Sequence, residues 1–160
     1  MVSVVVLAHN HARYTRACLR SVLATEPPEI EIIALDNGST DETPVMLAEM
    51  KAAAESAGVR MKVLSPGTNL GCSTARNLCV EQAEGSEVVF LDNDIEIPDP
   101  AWLEKLKRIL HSDEAIAIVG PKLCYPFEPH DIQCAGVGIS KSGRVLFRGR
   151  GEPCDSSDYA

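Results

Sequence analysis

Two aspartates, Asp92 and Asp94, follow the apolar run at residues 88–91. Side chains alternate along an extended chain, so acids at i and i+2 leave the carboxyl end of a strand on the same side. Two carboxylates held that close repel unless positive charge sits between them. A hard divalent cation that carries substrate phosphates meets this need, because it takes one or two protein carboxylates and keeps its other sites for phosphate and water. The plainer alternative is a turn, which Asp and Asn favour for local hydrogen bonding. Other polar side chains also stand where apolar runs end. His9 and Asn10 follow the first run, Asp36 follows the second, and the segment 69–76 with Arg76 follows the third. In an open α/β sheet, ligands bind beyond the carboxyl ends of the strands, at the switch in strand order. Four such places in one chain mark a candidate site.

The elements that must position these residues are legible in the apolar pattern. Residues 2–8 form a nearly unbroken β-branched run, the signature of a strand covered on both faces. Asn10 is expected to cap a helix that turns Tyr14, Ala17, Cys18, Ser21 and Val22 inward and Arg13, Arg16 and Arg20 outward, with Pro27 and Pro28 ending it. Residues 30–35 read as a second strand. Thr43 is expected to cap the next helix, with Pro44 in its first position. Ser39-x-x-Glu42 also spells a capping box, but would leave Pro44 inside the first turns. The inward stripe is Met46, Met50, Ala53, Ala54 and Ala57, and Gly58 ends the helix. Residues 59–64 make a third strand, about 71–83 a third helix and 87–91 a fourth strand. A fourth helix opens at Pro98-Asp99-Pro100 and turns Trp102, Leu106, Ile109 and Leu110 inward, ahead of a fifth strand at 116–119. Successive β–α pairs predict an α/β fold, a mostly parallel sheet with helices on both faces. From Gly120 the helical period disappears. The short runs 137–139 and 145–147 suggest irregular structure or a β-ribbon, and the polar end at 152–158 is expected to fray.

Composition narrows the function. At 160 residues, 45% hydrophobic and 24% charged, the chain can bury a real core. Fifteen Lys+Arg against 23 Asp+Glu gives −8, which argues against nucleic acid or an anionic membrane as main partner. An anionic substrate would need a metal ion or a well-placed Arg. The six cysteines (18, 72, 79, 124, 134 and 154) contain no C-x-x-C pair, so zinc-ligand spacing is absent and reduced thiols in a reducing cytosol are expected. No apolar stretch approaches the length of a membrane span, and no charged segment precedes the first apolar run, so neither a spanning helix nor a signal peptide is expected. The turn Ala8-His9-Asn10-His11-Ala12 lacks the glycines of a dinucleotide fingerprint, and no P-loop is present. Asp92-x-Asp94-x-Glu96 begins like a calcium loop, but Ile97 stands where glycine is needed and Leu103 where the bidentate glutamate should be. Metal-dependent aspartyl phosphatases also place D-x-D after a strand, though on the first strand rather than the fourth.

The strings Val2-Ser3-Val4-Val5-Val6-Leu7-Ala8-His9-Asn10, Leu35-Asp36-Asn37-Gly38-Ser39-Thr40-Asp41, Asn69-Leu70-Gly71 with Ala75-Arg76-Asn77, and Leu91-Asp92-Asn93-Asp94 resemble, in order and spacing, the motifs of family 2 glycosyltransferases, which have the GT-A fold. Gly120-Pro121-Lys122-Leu123-Cys124-Tyr125-Pro126 and Asp131-Ile132-Gln133-Cys134-Ala135-Gly136 resemble the bacterial branch that includes rhamnosyltransferases of surface-polysaccharide assembly. The resemblance spans nearly the whole chain. It implies a UDP- or dTDP-linked sugar donor, a carbohydrate or lipid-linked acceptor hydroxyl, Mn²⁺ or Mg²⁺, and inversion at the anomeric carbon. By the same resemblance, Ala8, His9, Asn10, Asp36, Asn37, Arg76, Asp92 and Asn93 would bind the nucleotide, and Asp94 with Asp92 the metal. Asp36 matches the acid that bonds the base or ribose, and Arg76 the arginine near base and diphosphate. His9 stands where the family commonly has Tyr and could stack on the base. Plainer roles remain open: a helix-approach cap for Asp36, a packed surface histidine for His9, a helix-surface salt bridge for Arg76. Asp41 and Asn69 are expected to support loops through backbone hydrogen bonds.

One departure from the family pattern shapes the expectation. An inverting displacement needs a base within hydrogen-bond reach of the acceptor. The family's E-D-like base motif and G-G-F-D-like acceptor segment have no match in 135–160. The resemblance therefore implies a donor-binding domain at 1–119 and an extension at 120–160, leading toward an acceptor-binding half whose base lies beyond Ala160. Such a portion would bind nucleotide and metal yet transfer sugar poorly, and its open face could pair two copies into a homodimer. The expected location is the cytoplasm, at the inner membrane face for a full-length enzyme. A non-catalytic nucleotide- or sugar-binding module is the alternative, separated from the enzyme by turnover.

Overall fold

The computed structural model of the chain describes residues 1–26 and 29–159. Four parallel strands, β1 (Val2–Ala8), β2 (Ile30–Asp36), β3 (Arg60–Leu64) and β4 (Glu87–Asp92), form a sheet in the order β3-β2-β1-β4. Strand order reverses between β1 and β4. The largely apolar character of β1 and β2 follows from their central position, where both faces are covered. Val2, Val4, Val6 and Ala8, with Ile30, Ile32 and Ala34, face one layer. There α1 (Ala12–Leu23) contributes Cys18, Leu19 and Val22, and α2 (Thr43–Ser56) contributes Met46, Leu47 and Met50. Val5, Ile33 and Leu35 face the other layer, covered by Ala75 and Cys79 of α3 (Cys72–Glu81). The α/β architecture with helices on both faces is as expected. α4 (Trp102–Leu110) starts by donating the Trp102 indole N–H to Thr25 Oγ1 at 2.9 Å and burying Leu103. No helix among the described residues is long and apolar enough to cross a membrane.

Expectations for the starts and inward faces of α1 and α2 fail for identifiable reasons. Asn10 does not cap α1. Asn10 and His11 are both left-handed (φ 57° and 58°), and Asp41 Oδ2 accepts the Ala12 N–H from the loop before α2. That entry rotates the helix, so Tyr14 is exposed and Thr15 buried, and the inward face is Ala12, Thr15, Cys18, Leu19 and Val22. α2 begins at Thr43, not after it, with Glu42 at the cap and the Thr43 N–H donating to Asp41 Oδ1 at 3.0 Å. Its core stripe takes Leu47, which fills more space, and leaves Ala53 and Ala57 exposed. Pro27 and Pro28, expected to end α1, lie outside the described residues, and the helix ends at Leu23.

At the amino end of the sheet, Glu31 is fully buried. Its Oε1 accepts from Ser3 Oγ at 2.7 Å and from the Glu84 N–H at 2.6 Å. Lys62 Nζ (3.5 Å) and Arg60 Nη2 (3.6 Å) face Oε2. Burial pushes this carboxyl up, but the hydrogen bonds and the two cations outweigh it, so it titrates below the ordinary range.

The residues gather into two compact units, Met1–Glu104 and Lys105–Ala160, and the expected division at 119/120 falls inside the second. Residues 116–119 form no strand, and Ile118 is 88% exposed. A four-residue apolar run becomes a strand only by pairing, and this run finds no partner among the described residues. Two small antiparallel pairs follow: β5 (Leu123–Cys124) with β6 (Ile132–Cys134), and β7 (Val137–Ile139) with β8 (Val145–Phe147). The runs at 137–139 and 145–147 are thus the two strands of one ribbon. Val137, Ile139, Val145 and Phe147 share one of its faces and are exposed. The tail is tied down rather than frayed. Cys154 is disulfide-bonded to Cys124 across a Cα–Cα distance of 6.0 Å, and Arg148 lies over the Tyr159 ring at 5.2 Å. For this pair the expectation of reduced thiols is corrected, since β5 and the tail bring together cysteines that no sequence spacing links. Cys18, Cys72, Cys79 and Cys134 are free thiols.

Candidate functional site

The site is built on loops at the carboxyl ends of β1, β2 and β4, with α3 at its side. Asp36 ends β2, is only 4% exposed and accepts the Ser39 N–H at 2.9 Å. Asn37 follows. Its backbone N–H donates to Ala8 O at 2.8 Å, which is how Ala8 takes part, since the Ala8 side chain is buried. The Asn37 side chain is spent on the neighbouring loop. Its Oδ1 accepts the Leu70 N–H (2.8 Å) and its Nδ2 donates to Asn69 Oδ1 (3.1 Å), which also accepts the Gly71 N–H (2.9 Å). Gly38, at φ 76°, lies so close to this loop that a Cβ would stand 2.7 Å from Asn69 N and Thr68 C. Asn10 joins the first two loops: its N–H donates to Ser39 Oγ and its Oδ1 accepts the Thr40 N–H, both at 2.8 Å. His9 donates from Nδ1 to the Asn37 carbonyl at 3.0 Å and is otherwise exposed. Asp41 and Asn69 both spend their side-chain oxygens on backbone N–H groups, as loop supports do.

Arg76, half-buried on α3, pairs with Asp92 through Nη2–Oδ1 at 2.6 Å and lies 5.9 Å from the centroid of the Phe90 ring. Asp92 and Asp94 are both exposed, while Asn93 turns inward and donates from Nδ2 to Thr15 Oγ1 at 2.8 Å. Among the described residues Asp94 has no hydrogen-bond or ion-pair partner. The buried Cys18 thiol lies below this turn and donates to Asp92 O at 3.7 Å. Burial, then the carboxylates of Asp94, Asp92 and Glu96, push that thiol up to about 12. Three acids thus project negative potential onto Cys18, at the middle of α1. The structure therefore gathers Ala8, His9, Asn10, Asp36 and Asn37 in one locked pair of loops, and Arg76, Asp92, Asn93 and Asp94 beside the β4 terminus. Thr15 and Gly38 were not singled out from the sequence. The phase that buries Thr15 is set by the left-handed Asn10 and His11, and the close approach at Gly38 is tertiary, so neither leaves a local signal in the sequence.

The donor set can be tested against a divalent cation. Among the described residues no group of three or more His, Cys, Asp or Glu side chains could hold an ion. Asp94 is unengaged, and Asp92 is shared with Arg76. Two carboxylates fit a hard cation that draws its remaining ligands from phosphate oxygens and water. They do not fit a closed, all-protein cage.

Comparison with known proteins agrees with this architecture. The sequence profile of glycosyl transferase family 2 matches residues 3–144. Glycosyltransferase AglE of Haloferax volcanii is 31% identical over 106 residues, 65% of this chain and 33% of that protein. O-antigen biosynthesis protein RfbC of Myxococcus xanthus is 29% identical over 143 residues, 89% of this chain and 11% of that protein. Among solved structures, S. aureus TarS 1–349 in complex with UDP-GlcNAc superposes with a TM-score of 0.59 at 28% identity, covering 68% of this chain and 30% of that one. The mannosyltransferase PcManGT from Pyrobaculum calidifontis, solved with GDP-Man and Mn²⁺, gives a TM-score of 0.65 at 24% identity, covering 71% and 32%, a likeness of fold. The α/β fold is that of the GT-A glycosyltransferases. This chain spans from 11% to 33% of the length of these four proteins.

Proposed function

The chain belongs to glycosyl transferase family 2, and from that premise we propose that it supplies the donor-binding part of an inverting transferase, taking a UDP- or dTDP-linked sugar with Mn²⁺ or Mg²⁺. The observation that carries this reading is Asp94, an exposed carboxylate without a hydrogen-bond or ion-pair partner among the described residues, beside Asp92 at the switch in strand order. Asp94, with Asp92, would hold the cation, which when bound offsets charge developing on the diphosphate leaving group. Asp36 is assigned to the base or ribose, and the exposed His9 ring to the face of the base. Arg76, paired directly with Asp92, is assigned to the diphosphate. Asn10, Asn37 and Asn93 spend their side-chain amides on protein, so their contribution is to shape loops and offer backbone groups. TarS, solved with UDP-GlcNAc, and PcManGT, solved with GDP-Man and Mn²⁺, are donor-bound precedents. RfbC, an O-antigen biosynthesis protein, favours a carbohydrate or lipid-linked acceptor in surface-polysaccharide synthesis. Transfer requires a base at the acceptor hydroxyl, and we assign none to this chain.

Melting-temperature shifts with UDP, TDP and GDP, each with and without Mn²⁺, test the proposal. A diphosphate at about a hundred times its dissociation constant adds roughly 2.7 kcal/mol, which for a chain of this size raises the midpoint by about 5–10 °C. The Mn²⁺-dependent part should vanish in Asp94→Ala. No shift with any diphosphate, or a full Mn²⁺ response in Asp94→Ala, would overturn it.

A further inference from the structure

We propose that Thr15 is a positioning residue for the cation-binding acids, acting through Asn93; this deepens the donor-site reading and rests on it. Thr15 lies on the inward face of α1 and is fully buried beside Ala12, Cys18 and Leu19. A hydroxyl there gains nothing in packing over a valine of the same shape, and costs desolvation unless it is bonded. Its bond is to Asn93, whose Nδ2 donates to Thr15 Oγ1 at 2.8 Å. Asn93 is the residue between the two acids. With its side chain drawn down to α1, Asp92 and Asp94 are left exposed on either side of it. Two further bonds hold the same turn: the Cys18 thiol donates to Asp92 O at 3.7 Å, and the Ile95 N–H donates to it at 3.3 Å.

The tether has a physical purpose. Neighbouring carboxylates repel, so a loose turn would let Asp94 swing away and would have to be reordered when a cation binds. Anchoring the middle residue to a buried hydroxyl sets the separation of the outer two in advance. Outer partners of this kind typically change metal affinity ten- to a hundred-fold when removed. Asn93 is then no ligand, and α1 forms the floor of the cation site without touching the ion.

Mn²⁺ binding followed by electron paramagnetic resonance, with MnCl₂ titrated in the presence of UDP, TDP or GDP, tests this directly. Thr15→Val keeps shape and burial, and is expected to weaken Mn²⁺ binding about ten-fold while unfolding stays cooperative. Thr15→Ser should restore affinity to within about two-fold. Asn93→Ala alters a surface turn rather than the core, so it keeps the test valid if Thr15→Val folds poorly; it should show the same loss. The double variant should bind no more weakly than either single one, because both remove one interaction. Unchanged Mn²⁺ affinity in Thr15→Val or Asn93→Ala, in a protein whose unaltered form binds Mn²⁺, would overturn the positioning role alone. Absence of Mn²⁺ binding by the unaltered protein with all three diphosphates would overturn the donor-site reading with it.

Discussion

Gly38→Val is expected to cost about 3 kcal/mol of stability and to weaken nucleotide binding together with it. Gly38 adopts φ 76°, a left-handed backbone that a β-branched residue tolerates poorly. In addition, its Cβ would stand 2.7 Å from Thr68 C and Asn69 N. Those are backbone atoms and cannot rotate aside, so the loop between β3 and α3 must move. Moving it breaks the bonds of Asn37 to Asn69 and Leu70, which fix the start of α3 and hence the reach of Arg76 to Asp92. Gly67 provides the control. It has nearly the same φ, 78°, but nothing lies within 4 Å of its Cβ position, so Gly67→Val should lose only the conformational part, about 1–2 kcal/mol. Thermal melts of the two variants, with and without nucleotide, separate strain from collision. Equal losses would show that the two loops are not locked at Gly38.

Glu31→Gln should also be damaging, by about 1–3 kcal/mol near neutral pH, because it removes a buried anion that accepts from Ser3 and the Glu84 N–H and leaves Arg60 and Lys62 with Glu84 as their acidic partner. A Gln can keep its amide oxygen on the Ser3 hydroxyl and the Glu84 and Gly85 N–H groups, which all converge on Oε1, but a neutral oxygen accepts them less strongly than a carboxylate. The pH dependence gives a second signature. The folded carboxyl titrates below its unfolded value, since Ser3, the Glu84 N–H, Lys62 and Arg60 outweigh burial. Its contribution is therefore complete above the unfolded pKa, about 4.3, and is lost as pH falls through the lower folded value. Urea midpoints of the native and Glu31→Gln proteins should differ most at pH 6–7 and converge as pH drops below about 4. A gap that stays constant down to pH 3 would mean that Glu31 acts by shape rather than by charge.

Much of the sheet was legible because β1 and β2 are covered on both faces and are apolar but for the paired Ser3 and Glu31, which leaves Val2 to Val6 and Ile30 to Leu35 little ambiguity. Asp36, Asp92 and Asp94 were equally visible, since each ends such a run. Helix phase was harder to read. The 3.6-residue period says which residues share a face, but α1 is launched from two consecutive left-handed residues, and neither Asn10 nor His11 advertises that conformation. The apolar pattern therefore points Tyr14 inward, whereas the structure buries Thr15. The bond from the Thr43 N–H to Asp41 is the local loop support expected, but the bond from the Ala12 N–H joins residues far apart in sequence, so no local capping rule could find it. The tie between Cys124 and Cys154 depends likewise on tertiary proximity, and the run at 116–119 shows that β-propensity without a partner strand does not make a strand.

The central place of β1 in the sheet also sets a timetable for assembly. β1 pairs with β2 across a single helix, but its other edge waits for β4, whose first residue, Glu87, lies opposite Val2. Such distant pairing carries a loop-closure cost and slows folding relative to the local β–α units. During synthesis the hydrophobic flank of β1 stays open until the acidic turn has left the ribosome. Refolding should accordingly show early helix formation, with protection of those β1 amides that bond to β4 appearing late, at the step that also delivers Asp92 and Asp94 to their place.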